Sequence, residues 1–347
     1  LNKQLLKAIH KLDSVTHIVL GACIGEAIAG KQVGKRALFL GAFAQSFPDI
    51  DFVGAFFLAP ADNILVHRGL THSIIFAIVA TWGLAHFTKW YFRKRKIASR
   101  VWILLFSVNI FSHIFIDSFN AYGTGWFEPF SHQRISFNTI FVADPLFSLW
   151  PFIACIVLTY LRLNNKNRKI WWQSALALSC LYLIYTNINK LIIDKDVKAT
   201  LGHKQLSDVE YFTTPSPFNS LLWFVTIKAG KGFYTGYKSV FDKDPKIDLN
   251  YFPRNDSLLR RVKDQEEVKD LLRFSEGYYT VEKWHDTTVF NVLRFGQIVG
   301  WYDPREKFVF HYFLDKPGAN ELVTQRGRFE NWNDTTIHSL IEKIKGK

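Results

Sequence analysis

The stretch HRGLTHSIIFAIVATWGLAHF, residues 67–87, decides the reading of this chain, because His67, Arg68 and His72 stand at the mouth of a long apolar run. A helix that crosses the roughly 30 Å of hydrocarbon in a bilayer needs about 20 mostly apolar residues. Residues 70–92 meet that length, as do 37–58, 101–120, 140–161 and 170–188. Residues 14–30, SVTHIVLGACIGEAIAG, are shorter and carry Glu26, so they either span or re-enter. The pattern predicts an all-α polytopic membrane domain of five or six helices over residues 1–197.

Residues 198–347 are patterned differently. GYYTVEKWHDTTVFNVLRFGQIVGWYD and KFVFHYFLD alternate as strands do, and RRVKDQEEVKDLLRF has helical periodicity. FTTPSPFNS reads as a turn-rich lead-in at the membrane surface. A small soluble α+β domain with an antiparallel sheet is predicted there. No catalytic constellation stands out in it, which leaves cover for the site, head-group selection or an envelope protein partner as its candidate roles.

The chain is 48% hydrophobic and 16% aromatic, an average over two unlike parts. Its net charge of +13 invites a nucleic-acid reading. The cations, however, cluster beside the apolar runs, in RKRKIASR at 93–100 and RLNNKNRK at 162–169, which is the arrangement at a membrane surface. No nucleic-acid partner is therefore expected. The positive-inside rule puts those two loops in the cytoplasm. The loop 121–139, with Arg134 as its one Lys or Arg, and everything after about 190 then lie outside it. This is the profile of a multi-pass protein of the bacterial inner membrane. LNKQLLKAIHKLDS, residues 1–14, is amphipathic and basic rather than a cleavable signal peptide. Cys23, Cys155 and Cys180 sit in apolar segments without C-x-x-C spacing and read as packing residues.

That topology carries ligand-type residues to one depth. In HIFID, His113 and Asp117 are four apart on one helix face, about 18 and 24 Å along a helix that starts inside. In FPDID, Pro48 loosens the helix and frees Asp49 and Asp51 to face a shared site. His67, His72 and Asp144 begin inward-running segments, and His17 joins them if 14–30 crosses. A carboxylate inside a membrane is costly unless paired, which makes each of these a functional candidate. Mixed imidazole and carboxylate ligands suit Zn²⁺, Mn²⁺ or Fe²⁺ better than Ca²⁺, and the several acids leave room for two or more ions.

The chemistry that follows is metal-assisted hydrolysis, with Asp49 or Asp51 available to take a proton from water. Arg68 and Arg134 either grip an anionic head group in two-point contacts or anchor the chain at the interface. A site in the outer half of the bilayer favours a membrane lipid or lipid-linked substrate. Two other classes place similar residues in a membrane. A metal transporter would continue its ligands toward the opposite face, and a non-catalytic envelope scaffold would fill every coordination position. Nothing in the sequence indicates an oligomeric state.

The ordered set LDSVTHIVLG, FPDID, HRGLTHS, HIFIDSFNAYGTGWFEPFSHQRIS and VADPLF resembles the YdjM-like family of inner-membrane, metal-dependent hydrolases over residues 12 to about 150. Leu12 stands where that pattern has methionine, and the chain contains no methionine. The resemblance implies a metal site built from His17, Asp49, Asp51, His67, His72, His113 and Asp117, with Asp144 behind them or as an additional ligand. Through a distant likeness of the family to zinc-dependent phospholipases C and P1-type nucleases, it also implies phosphoesterase activity. Residues 198–347 lie outside its motifs.

Overall fold

Among the described residues the chain is helical up to His203 and every strand lies after it, with two further helices among and behind the strands, a split that follows the change in pattern described above. The computed structural model describes residues 2–58, 60–203, 209–316, 320 and 330–346. Of the amphipathic stretch 1–14, all side chains but that of Ser14 lie outside the described residues.

Helix α1 (Asn2–Val33) packs against α2 (Arg36–Ser46) at backbone distance. A Cβ on Gly25 would lie 2.1 Å from the Ala37 carbonyl oxygen, and one on Gly41 2.0 Å from that of Gly21. Only small residues permit such an approach between membrane helices. The apolar run at 37–58 is not one helix, contrary to the expectation. It breaks after α2, and Pro48–Phe56 forms a 3₁₀ segment, because proline supplies no N–H to the preceding turn. A short α3 (Pro60–Val66) follows, and α4 (Ile74–Tyr91) begins only after Ser73, whose Oγ accepts from Phe76 N at 3.1 Å.

Helix α5 (Ser99–Asp117) returns along α4, and α6 (Pro145–Tyr160) packs on α1 and on α7 (Asn167–His203). Residues 140–144 stay outside α6, since Asp144 is its N-cap. α7 runs past the expected boundary at 197 and, with 37 residues, is roughly 55 Å long. Among the described residues, α5 and α7 are long and apolar enough to cross a membrane, and the bent pair Asp62–His72 with Ile74–Tyr91 would make a third crossing. α6 is apolar but shorter.

The remaining chain forms two antiparallel sheets. One has the order β1 (Tyr211–Pro215), β2 (Leu222–Ala229), β3 (Gly232–Ser239), β4 (Asn250–Pro253). FTTPSPFNS is thus half strand, since β1 pairs Phe212 with Thr226 and Pro215 with Trp223. Helix α8 (Gln265–Ser275) then leads to the second sheet, β5 (Tyr279–Trp284), β6 (Thr287–Gln297) and β7 (Phe308–Phe313). Helix α9 (Asp334–Ile344) closes the chain, with Leu340 buried against Leu222 and Val309.

Two seams join the parts. Ile193, Val197 and Leu201 of α7 are buried with Trp223 and Val225 of the first sheet. Ile64 of α3, Ala121 and Tyr122 are buried with Leu271 and Phe274 of α8 and with Phe295 and Phe310 of the second sheet. The loops that carry the polar motifs therefore rest on the C-terminal region.

Candidate metal centre

Four polar side chains converge where α5 ends, α4 begins and the 3₁₀ segment starts. They are Asp49, His72, His113 and Asp117. The one-turn spacing of His113 and Asp117 sets Nε2 and Oδ2 3.5 Å apart on one face of α5. His72 is delivered by the turn before α4, and its Nε2 lies 3.1 Å from His113 Nε2 and 3.4 Å from Asp117 Oδ2. Asp49 Oδ1 completes the group, 3.4 Å from His113 Nε2 and 3.6 Å from His72 Nε2.

These separations match a cation site. Ligand atoms about 2.0–2.1 Å from a tetrahedral ion are about 3.3 Å from one another. Asp117 Oδ2 is buried and accepts no well-aligned hydrogen bond, its neighbours being the Arg68 guanidinium at 3.2 Å and the imidazoles of His72 and His113. Two imidazoles and two carboxylates form a donor set suited to a borderline divalent ion. Asp49, His72, His113 and Asp117 are thus the residues that could hold a metal.

The other expected residues surround this group rather than belong to it. His17 Nε2 lies 3.1 Å from Asp117 Oδ1, and its ring lies over that of His113 with centroids 3.9 Å apart. Asp51 lies behind His72, its Oδ2 3.5 Å from Nδ1: Oδ2 accepts from Arg68 N at 2.8 Å and from Thr71 Oγ1 at 3.2 Å, while Oδ1 meets His67 Nδ1 at 3.2 Å. Thr71 Oγ1 also contacts His72 Nδ1 at 3.0 Å, so Asp51 and Thr71 orient the imidazole from behind. The His67 ring is partly exposed, with its centroid 6.4 Å from that of His72.

Arg68 is buried and has left-handed backbone geometry, φ +59°, which non-glycine residues adopt at a cost. Its N–H is held by Asp51, and its carbonyl accepts from Gly125 N at 2.9 Å. A Cβ at Gly125 would lie 3.4 Å from Gly69 Cα and 3.5 Å from the Arg68 carbonyl oxygen, in ordinary contact with the turn that its N–H pins. The guanidinium points inward: Nε lies 3.2 Å from Asp117 Oδ2, Nη1 donates to Asn120 Oδ1 at 2.9 Å, and the group stacks over Tyr122. Arg68 is therefore the built-in counter-charge of Asp117.

Arg134 and Asp144 have other occupations. Arg134 Nη2 donates to the carbonyls of Leu65 at 2.9 Å and His67 at 2.7 Å, which ties together the end of α3 and the HRG turn. Burial, with Arg294 nearby, pushes its pKa down to about 10, so it stays protonated at neutral pH. Asp144 Oδ1 accepts from Leu146 N at 2.9 Å as the cap of α6, and its Oδ2 accepts from Tyr182 at 2.8 Å. It is not among the four convergent residues. Thr71, Asn120 and Tyr122 escaped the sequence reading; all three lie inside quoted motifs, and their side-chain chemistry was the only signal.

The family described as YdjM inner membrane protein matches residues 12–192. Inner membrane protein YbcI of Escherichia coli (strain K12) is 34% identical over 122 residues, 35% of this chain and 69% of that protein. The protein YfhP of Bacillus subtilis (strain 168) is 25% identical over 287 residues, 77% of this chain and 81% of that protein. No solved structure matches the chain.

Proposed function

The chain belongs to the YdjM inner membrane protein family, and from that premise we propose that it is a membrane-bound, metal-dependent hydrolase, a phosphoesterase acting on a lipid or lipid-linked substrate. The observation that carries this reading is the uneven burial of the four ligand-type side chains. His72, His113 and Asp117 are at most 2% exposed, whereas Asp49 is 30% exposed. The group can thus be reached from one side, as a catalytic centre must be, rather than sealed on all sides like a structural one. When bound, a divalent ion there would activate water and polarise a phosphoryl oxygen.

The chain's own residues divide the remaining work. Asp51 holds Nδ1 of His67, so Nε2 of this partly exposed ring is the atom placed to accept a proton from water and return it to a leaving group. Arg68 balances Asp117, and Arg134 shapes the turn, so the head-group role considered for both arginines falls to the ion and to backbone donors. Around the open side, Ile50, Phe52, Phe56 and Phe57 are exposed on the 3₁₀ segment. A contiguous apolar surface of this kind favours contact with bilayer or acyl chains.

The transporter reading loses support at the other end of the helices. There Glu26 is gripped in a two-point ion pair by Arg168, at 2.8 Å to each oxygen, and does not extend a ligand path. Six crossings, from α1, α2 with the 3₁₀ segment, α4, α5, α6 and α7, are part of the proposal. So are the extracytoplasmic placement of the centre and of residues 198–347, and the choice of Zn²⁺ over Mn²⁺ or Fe²⁺. The test is elemental analysis of the detergent-purified chain and of His72→Ala and Asp117→Ala, beside head-group release from bacterial lipids. Metal present in the parent, lost in both variants and accompanied by turnover supports the hydrolase. Metal retained by both variants sinks the site. One ion per chain fits the four residues, whereas two would move Asp51 and His67 into a second site.

A further inference from the structure

A second chemical feature lies at the opposite end of the same helices. α2 and α4 have the metal-site residues beyond one end, and α5 carries two of them in its last turns, so the other ends of these helices meet roughly 27 Å away. There Arg36, Trp90, Tyr91, Phe92, Arg93, Lys94 and Arg95 line a cleft of about 370 Å³. Its three arginines are seated on aromatic rings: Arg36 and Arg95 each lie 5.9 Å from the centroid of Phe92, and Arg93 lies 5.6 Å from that of Trp90. Phe92 is fixed in turn by stacking on buried Trp102 at 5.3 Å. Lys96, at φ +50°, turns the chain back so that the 93–95 turn faces Arg36, and Arg95 Nη1 reaches the Gln32 carbonyl at 3.4 Å.

Among the described residues, no carboxylate lies within ion-pair distance of Arg36, Arg93, Lys94 or Arg95. Four cations gathered without an acid, three of them held against rings rather than in ion pairs, form a site of strong positive potential with a complementary ligand still to come. Apolar side chains flank it along the helices, with Phe39 one turn above Arg36 and Phe87 one turn above Trp90, both exposed. A ligand that matches this layout carries a phosphate at one end and hydrocarbon at the other. We infer that the cleft binds the head group of an anionic phospholipid, with the acyl chains along Phe39 and Phe87. Guanidinium forks suit phosphodiester oxygens, and the rings bound the site toward the bilayer. Neither the hydrolase reading nor the metal centre is needed for this inference.

The test uses the full chain in mixed micelles of equal phosphatidylglycerol and phosphatidylcholine, with retained lipid counted by native mass spectrometry. Phosphatidylglycerol is expected in at least about tenfold preference, and Arg36→Gln and Arg95→Gln are each expected to lower that preference about fivefold. Thermal unfolding of the same samples in detergent reports that the fold is intact. Arg100→Gln removes an equal charge at the same end, outside the cleft, and should leave the preference unmoved. Equal retention of both lipids by the parent overturns the inference, as does an unchanged preference in the Arg36→Gln, Arg95→Gln double variant. Displacement of the lipid by inorganic phosphate would overturn it too, by making the cleft a free-anion site, and so would an Arg100→Gln effect as large as the others, by assigning the preference to diffuse surface charge.

Discussion

At the scale of single residues, the candidate centre separates side chains that converge on one point from side chains that hold them. Asp144 illustrates the difference. As the cap of α6 it satisfies two backbone donors and Tyr182. Asp144→Ala is expected to cost about 1 kcal/mol of stability, the usual value of a cap, with metal content unchanged. Metal loss on elemental analysis of that variant would return Asp144 to the ligand set. Arg68→Ala is predicted to be far more damaging. It leaves the buried Asp117 carboxylate uncompensated, at a cost of about 3–5 kcal/mol read from thermal unfolding in detergent. His67→Gln should leave metal bound while slowing turnover by about 10²–10⁴-fold, the range of a lost general base. An unchanged rate would remove His67 from the proton path.

At the scale of elements, the approach of α1 to α2 is what brings His17 and the Asp49 segment within reach of α5. That approach has no room for side chains at Gly25 and Gly41. Gly41→Leu is expected to separate the pair and abolish the folded, metal-binding form, whereas Gly83→Ala, on α4 with open space around its Cα, should be near neutral. Size-exclusion profiles and thermal unfolding of the two variants distinguish them, and equal behaviour would mean that the helix contact does not set the fold. The break at Pro48 has a comparable role, since it ends α2 and starts the 3₁₀ segment from which Asp49 reaches His72 and His113 while Asp51 accepts from Arg68 N.

At the scale of the whole molecule, the C-terminal region supports the candidate metal centre from behind. Tyr122, on which Arg68 stacks, itself rests on Phe295 of β6 with centroids 4.5 Å apart. Ile64 and Leu65 of α3 pack into the same cluster as Phe274 and Phe310, and Arg134 gathers the carbonyls that follow. Arg134→Ala touches no candidate ligand, yet it is expected to weaken metal binding by about 10–100-fold, the usual effect of losing outer support. Calorimetric titration of the metal-depleted chain measures this, and an unaltered affinity would make the support dispensable.

The sequence by itself determined the division into an apolar helical part and a polar sheet-bearing part, because apolar run length and strand alternation are local properties of the chain. It also determined the His113 and Asp117 pair, since one helical turn fixes their relation whatever surrounds them. It was too coarse where local signals compete. Pro48 and Asp144 cut helices short inside apolar runs, and of the first sheet β1 fell in a segment read as turns while β2–β4 were not singled out as strands. Only the tertiary structure decided which of the polar residues at one depth face one another. Asp49 and His72 meet α5, while Asp51 turns to the Arg68 backbone, Arg134 to carbonyls and Asp144 to a helix end. Depth along a helix is additive in residues and can be counted, but direction across the bundle depends on the broken segment after α2, the strained turn at Arg68 and the packing of the C-terminal sheet, none of which has a periodic signature.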